Sequence, residues 1–450
     1  MGALGKDRFL EVAAPALDLT GVDGAEVLLM HEWGGLTRFA SSEIHQSTAS
    51  EDTSLRVRVA REGRVGVSAT NDCTPGGAYA AAQQARAMAE VATSDPLWPG
   101  LAPLADAPRT GIFDEATASC TPEERAETVA TLVGRCASGF TAAGAYETRG
   151  VEFALANTEG QVCWEPFSQA SLTTVMTGGQ GGSGFAEVFS SLATDIDADA
   201  VGARASDKAV RSQRPADIEA GTYPVVLEPA AVSTIMGFLS YIAFAGRAYV
   251  EDRSSLSGKA GRPVAAPGIS IWDDGSAAGT LGVGFDFEGV PKRHVDLIRE
   301  GVFIDAVYDL RTAKQAGRAE GSTGHGLPSP NPEGPFPLNL FMAPGDATVE
   351  EMIAATDRGL LITRFHYSNV VNPMDSSITG MTRDGTFMIE HGEVVGPVRN
   401  LRFTQSTLGA LAAVSMVGRE TELASEFFYS ASRVPALKVD AFHFSGVSDH

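Results

Sequence analysis

Cysteine is scarce in this chain. Four residues in 450 (Cys73, Cys120, Cys136 and Cys163) are widely scattered, with no Cys-x-x-Cys pair. That spacing argues against a disulfide scaffold or a thiolate metal cluster and reads as buried thiols in a reducing, cytoplasmic setting. Basic side chains are also outnumbered: 34 Lys and Arg stand against 56 Asp and Glu, a formal charge of −22. Binding phosphates needs a basic surface, so direct contact with nucleic acid is disfavoured. The acidity suits solubility and a weak bias toward basic ligands. Long apolar runs are few. Met1 to Ala14 carries several charges and no sustained apolar run, so no secretory signal is read there. Pro229 to Gly246 is uncharged over 18 residues, close to the length that spans a bilayer. It holds Pro229, Ser233, Thr234, Gly237 and Ser240 and has no polybasic flank, which predicts a buried core helix and no membrane span. No Gly-x-Ser-x-Gly elbow and no Walker loop occurs.

What is present fits a soluble globular protein, with 44% apolar residues and a mean hydropathy of −0.01. A chain of 450 residues exceeds one ordinary core and predicts two domains, with a boundary near residues 215–222. Residues 1–220 read as a mixed sheet-and-helix α+β domain. Residues 221–450 read as a hairpin-rich β domain with a buried apolar helix. Turn signals at Arg61-Glu62-Gly63, Asn157-Thr158-Glu159-Gly160, Arg299-Glu300-Gly301 and His391-Gly392 sit between runs of alternating or β-branched residues and predict hairpins. Gly76 to Thr93 is Ala-rich with helical spacing. Thr121-Pro122-Glu123-Glu124 is a capping box with proline at the first helical position, opening a helix to about Ala137. Thr348 to Glu351 caps another helix, which ends before Gly359. Gly178 to Gly184 reads as a flexible loop, and the five prolines and four glycines of residues 320–337 as a long irregular one.

The histidines form no obvious ligand set. His31-Glu32 begins like a metallopeptidase helix, but Trp33-Gly34-Gly35 follows and glycine disfavours the helix that would align a second ligand. His325, between two glycines, reads as an exposed loop residue. His366 alternates with aromatics and reads as core or groove lining, and His391 as a turn residue. Asp273-Asp274 and Asp286/Glu288 read as solvated turns.

Several segments, in order, carry a family resemblance. Thr37-Arg-Phe-Ala-Ser-Ser-Glu-Ile-His-Gln46 comes first, then Val225-Val-Leu-Glu-Pro229, Ser257-Gly258-Lys259, Asp273-Asp274 and Asp286-Phe-Glu-Gly-Val-Pro291. Glu300-Gly301, Tyr308-Asp309, Thr312-Ala313, Ser322-Thr323-Gly324, Pro344-Gly345, Ile389-Glu390-His-Gly392, Gly396-Pro-Val-Arg399 and Leu437-Lys-Val-Asp440 follow. Over roughly 400 residues this order resembles the TldD/PmbA family of paired peptidase subunits, in which one subunit carries His-Glu-x-x-x-His after a Val-Val-Leu-x-Pro strand.

The resemblance implies a vacancy. Counting from Val225, the family's two histidines fall on Gly237 and Ile242 and its glutamate on Phe238, none of which can hold a metal or move a proton. A third ligand, a cysteine near the carboxyl end, falls in a region reading Glu426-Phe-Phe-Tyr-Ser-Ala, and no cysteine lies beyond Cys163. A hydrolytic zinc site needs about three protein ligands and a water. The chain is therefore expected to be the TldE/PmbA-type subunit: no bound metal, no catalytic residue, and a heterodimer with a zinc-bearing TldD-type partner that cuts or processes unfolded peptides. Arg38, Glu43, His45, Arg364 and Asn369 are the candidates for lining a peptide groove, with Arg38 pairing Glu43 internally as the alternative. Two other readings are an autonomous hydrolase with a relocated site near His325 and His366, and a regulatory binding protein of gyrase-modulator type.

Overall fold

The computed structural model describes residues 2–277, 282–424 and 431–448, and it is α+β throughout. Helix α1 (Lys6–Leu17) leads into a three-strand meander, β1 (Gly24–Ala40), β2 (Glu43–Arg61) and β3 (Arg64–Thr70), followed by α2 (Pro75–Val91). The short α3 (Glu115–Ala118) and α4 (Pro122–Val133) precede a second meander, β4 (Phe140–Asn157), β5 (Val162–Gly178) and β6 (Ser183–Ser190), followed by α5 (Ala198–Arg211). The meanders join through β1 and β4 into one antiparallel sheet of order β3-β2-β1-β4-β5-β6. Each edge strand thus carries the helix that follows it. A Cβ on Gly66 of β3 would stand 1.9 Å from the Ala85 carbonyl oxygen of α2, and one on Gly184 of β6 would stand 2.1 Å from that of Ala205 in α5. Such close helix-on-strand packing needs glycine.

The C-terminal half contains β7 (Gly221–Leu227), α6 (Pro229–Ile242), α7 (Gly246–Val250), β8 (Ile271–Asp273), β9 (Val295–Arg299), β10 (Val302–Phe303) and α8 (Leu310–Gln315). It continues with β11 (Asn339–Met342), α9 (Val349–Ala354), β12 (Arg358–Asn372), β13 (Ser377–Glu390) and β14 (Glu393–Pro397). The last elements are β15 (Leu401–Ser406), α10 (Thr407–Ala412), β16 (Val414–Ala424) and β17 (Ala431–Val447). Its eleven strands form one sheet in which β17, β15, β13, β12 and β7 pair in turn and β7 returns to β17, closing a five-strand ring. Phe365, Phe403, Phe442 and Phe444 stack in its core.

Local signals act as expected at the hairpins. Glu62-Gly63, Glu300-Gly301 and His391-Gly392 all hold positive φ at both residues, matching the twist of the flanking strands. The capping boxes at Thr121 and Thr348 both form. Three readings change. The helix begun at Thr121 stops at Val133, where Gly134 caps it. Gly178 to Gly184 is the turn of the β5–β6 hairpin rather than a free loop, with the Gly178 amide donating to the Gly182 carbonyl at 2.9 Å. Of the four free thiols, Cys163 is buried and the other three are half-buried.

Helix α6 is buried along nearly its whole length. Its hydroxyls bond back to its own carbonyls, Ser233 to Ala230 at 3.0 Å and Ser240 to Gly237 at 2.6 Å, which removes the cost of burying them. Among the described residues no helix is long and apolar enough to cross a membrane.

The two sheets meet across a seam. Val283, Phe285 and Phe287 of the C-terminal half pack on Leu28, Val151, Phe153, Leu155 and Phe167 of the first sheet. Beside them Arg58 of β2 donates to Glu26 of β1 at 3.0 Å and to Glu288 at 3.3 Å, all three side chains being almost wholly buried. Asp286 accepts the amides of Glu288 and Val290 at 2.9 Å and that of Gly326 at 2.7 Å. His325 Nε2 lies 2.8 Å from Asp273, which also accepts the Asn339 amide at 2.7 Å. Asp273, Asp286, Glu288 and His325 are thus buried, not solvated turns and an exposed loop as the sequence suggests. Arg58, the ion-pair partner of Glu288, lies 230 residues away.

Burial pushes Glu288 above the usual carboxylate range, against the pull of Arg58, and it pushes Asp286 up against three backbone donors. A carboxyl raised in the folded state contributes stability that is fully present below its unfolded value, near 4, and is lost as pH rises through the folded one. Chemical denaturation should therefore show wild type losing more stability between about pH 5 and about pH 8 than Glu288→Gln does. Equal losses would mean that the seam does not hold Glu288 protonated.

Candidate functional site

Helix α6 turns one narrow stripe toward open space. Ala230, Thr234, Phe238 and Tyr241, spaced by four, four and three residues, share a face that looks onto β12. Between that face and the strand lie adjoining cavities. One of about 300 Å3 is lined by Phe185, Glu187, Thr234, Arg364 and His366, among others. A second, of about 340 Å3, is lined by Phe238, Tyr241, Leu327, Phe336, Asn369 and Val370 with Glu333. Phe238 borders both. A third, of about 290 Å3, continues past Ala230 toward Glu228 and Glu350. The result is one groove whose walls come from α6, β12, β6 and the irregular 320–337 segment.

The strand beside this groove is half paired. β12 pairs with β13 along most of its length, but with β7 only at Leu360, Leu361 and Ile362. Among the described residues no strand pairs with β12 on that side beyond Ile362. Ten residues to Asn372, about 30 Å at a strand's rise, thus present an edge of backbone donors and acceptors. The ladder to β13 breaks between His366 and Asn369, where Tyr367 takes a φ of +49° and stands exposed. Such a bulge re-aims side chains.

Several charged groups in the groove are tied down. Arg364 donates from Nε to Asp384 at 2.7 Å, and its guanidinium lies 4.0 Å from the Phe185 ring centroid. Asp384 is buried and also accepts from Ser183, so this contact joins β13 and β12 to β6. Burial, followed by the positive charges of Arg364 and Arg383, lowers the pKa of His366, which is therefore a neutral imidazole at neutral pH. Lys208 of α5 pairs with Glu228 just ahead of α6.

The groove contains two of the five sequence-predicted lining residues. Arg364 lines the first cavity and Asn369 the second. Arg38, Glu43 and His45 stand exposed around the tip of the β1–β2 hairpin and line neither cavity. Arg38 and Glu43 are not paired with each other; Arg38 sits opposite Gln46 and Glu43 opposite Ala40. Of the α6 positions, Ile242 is buried in the main core with Phe244, whereas Phe238 faces the groove. Phe185 and Glu187 carried no sequence signal, because docking of β6 against α6 is what makes them lining residues.

Gly237, Phe238 and Ile242 offer no atom that can ligate zinc, so the donor set at these positions does not fit that metal. Among the described residues no three His, Cys, Asp or Glu side chains converge as a metal-binding group. Glu426–Ser430, read from sequence as the place of a missing third ligand, lie outside the described residues. The groove offers a free strand edge, an apolar cavity and several charged side chains.

Comparison with known proteins bears on this arrangement. The family model described as PmbA/TldA metallopeptidase C-terminal domain matches residues 220–446. Companion models for domain 1 and the central domain match 25–89 and 113–213, the segments that hold the two meanders and their helices. Metalloprotease PmbA of Escherichia coli O157:H7 is 23% identical over 450 residues, with 95% of each chain covered. A metalloprotease of Methanothermobacter thermautotrophicus is 24% identical over 231 residues, covering 51% of this chain and 50% of its own length. The chain thus spans about half the length of that relative. The crystal structure of TldE from Thermococcus kodakarensis superposes with a TM-score of 0.85 at 21% identity, covering 94% of this chain and 97% of that one, a likeness of fold. The chain belongs to the PmbA/TldA metallopeptidase family.

Proposed function

We propose that this chain is the non-catalytic, TldE-type member of a metallopeptidase pair. It holds an unfolded peptide in extended form while a TldD-type partner supplies zinc and the hydrolytic step. The observation that carries this reading is the unpaired edge of β12 lying beside the outward stripe of α6, where Phe238 occupies one family metal position while Gly237 and Ile242, at the other two, are buried. A peptide added to such an edge gains backbone hydrogen bonds, each worth about 0.5–1.5 kcal/mol, whatever its sequence. That suits unfolded peptides, which share a backbone and little else. Arg364 and Asn369 contact the peptide in the groove. Arg38, Glu43 and His45, exposed around a hairpin tip of the other sheet, meet it from the side toward the partner. The same reading places the pair in the cytoplasm, where its four free cysteines stay reduced.

Two outcomes follow. The purified full-length chain should carry far less than one zinc per molecule and cleave no unfolded peptide, whereas mixing it with a TldD-type subunit should give cleavage that a chelator abolishes. Chelator-sensitive cleavage by the isolated chain would refute the assignment.

Writing the motif back should also fail. Gly237→His, Phe238→Glu and Ile242→His together are expected to yield no stoichiometric zinc by elemental analysis. Ile242→His alone should cost about 2–4 kcal/mol in chemical denaturation, because it puts an imidazole into the packed core. Near-wild-type stability with one bound zinc would show that α6 still presents a usable metal face.

A further inference from the structure

The groove is chemically graded along its length. At one end Tyr241 and Phe336, with ring centroids 6.3 Å apart, wall an apolar cavity of about 340 Å3 with Phe238, Leu327 and Val370. At the other end the cavity of about 290 Å3 is rich in carboxylates, Glu228, Glu350 and Glu422 among them. The two cations in that cavity are already engaged, Lys208 with Glu228 and Arg204 with Glu422 at 2.8 Å. Glu350 has no ion-pair partner among the described residues, and neither does Glu333 at the apolar end. The free edge of β12 runs between the two ends, from Thr363 beside Glu350 to Val370 beside Tyr241.

Resting on the peptide-holding reading above, we propose that the Tyr241/Phe336 cavity is a side-chain specificity pocket. It takes one large apolar side chain, such as Phe or Leu, of a peptide paired to the β12 edge, and Glu350 takes a basic side chain of the same peptide. Thr363 and Val370 are seven positions apart, about 23 Å along an ideal strand and less across the bulge at Tyr367. The preferred peptide therefore carries its apolar and basic residues roughly five to seven positions apart. Three features select this occupant. The cavity volume lies at the small end of the range for ligand sites, which fits one side chain rather than a folded element. The strand edge supplies main-chain pairing, and pockets beside it choose alternate side chains. The carboxylate excess repels acidic peptides, as does the overall charge of −22.

The test uses the full-length chain and fluorescein-labelled, unstructured peptides of Ser, Thr and Gly carrying one Phe and one Lys six residues apart, in either order. Fluorescence anisotropy should show that Phe→Ala in the peptide weakens binding about tenfold or more, the order set by burying one such side chain. Lys→Glu should weaken it several-fold, with the difference shrinking in high salt. In the protein, Tyr241→Glu, at a half-exposed position that the fold tolerates, should abolish the preference for Phe while the Ala peptide binds as before. Leu327→Asp should do the same. If Phe and Ala peptides bind equally, or if both variants keep the preference, the pocket assignment is wrong although the peptide-holding reading stands. If no peptide binds, alone or with a TldD-type partner present, both fall together.

Discussion

Everything placed in the groove depends on two sheets being held at a fixed distance, and the seam between them does this. Arg58 sits between Glu26 from its own sheet and Glu288 from a turn of the C-terminal half, while Phe285 and Phe287 plug into the apolar face of β1, β4 and β5. Breaking a buried ion pair by removing one member leaves a costly unpaired partner. Such a contact tolerates little sliding. It therefore fixes where β6 lies relative to α6, and β6 provides Phe185 and Glu187 for one wall. A second tie, Arg364 and Ser183 sharing Asp384, fastens the groove itself to β6.

Within that frame α6 serves both core and surface. Ile242, Leu239, Ile235 and Met236 fill the main core, and Ala230, Thr234, Phe238 and Tyr241 face outward onto β12. A helix that lined a hydrolytic site would need polar ligands on the outward stripe and room for a water. Here that stripe (Ala230, Thr234, Phe238 and Tyr241) carries no carboxylate, imidazole or thiolate, and it offers the cavities beside it shape and mainly apolar contact. The neighbouring strand supplies directionality through its unpaired backbone.

Much of the local structure was legible in the sequence because its causes are local. Glu-Gly and His-Gly turns adopt positive φ at both positions, Thr121 and Thr348 close capping boxes, and the uncharged 229–246 stretch holds the buried helix its composition predicts. The α+β class and the family followed from ordered motifs. What was illegible depends on contacts distant along the chain. Asp286 and Glu288 look like a solvated turn until Arg58 arrives from 230 residues away to meet Glu288, and His325 looks like a loop residue until Asp273 meets it. The groove shows the same divide. Arg364 and Asn369, named as candidates under the family resemblance, border the cavities beside α6, whereas Phe185 was silent because nothing near it in sequence marks the face that meets α6.

The central claim is that the edge of β12 beyond Ile362 receives an extended peptide. Amide hydrogen exchange on the full-length chain, with and without an excess of an unfolded peptide, measures this directly. Slowed exchange confined mainly to residues 363–372 and the facing stripe of α6 is the expected result. Unchanged exchange along β12 together with protection at another sheet edge, such as β3 or β14, would contradict it.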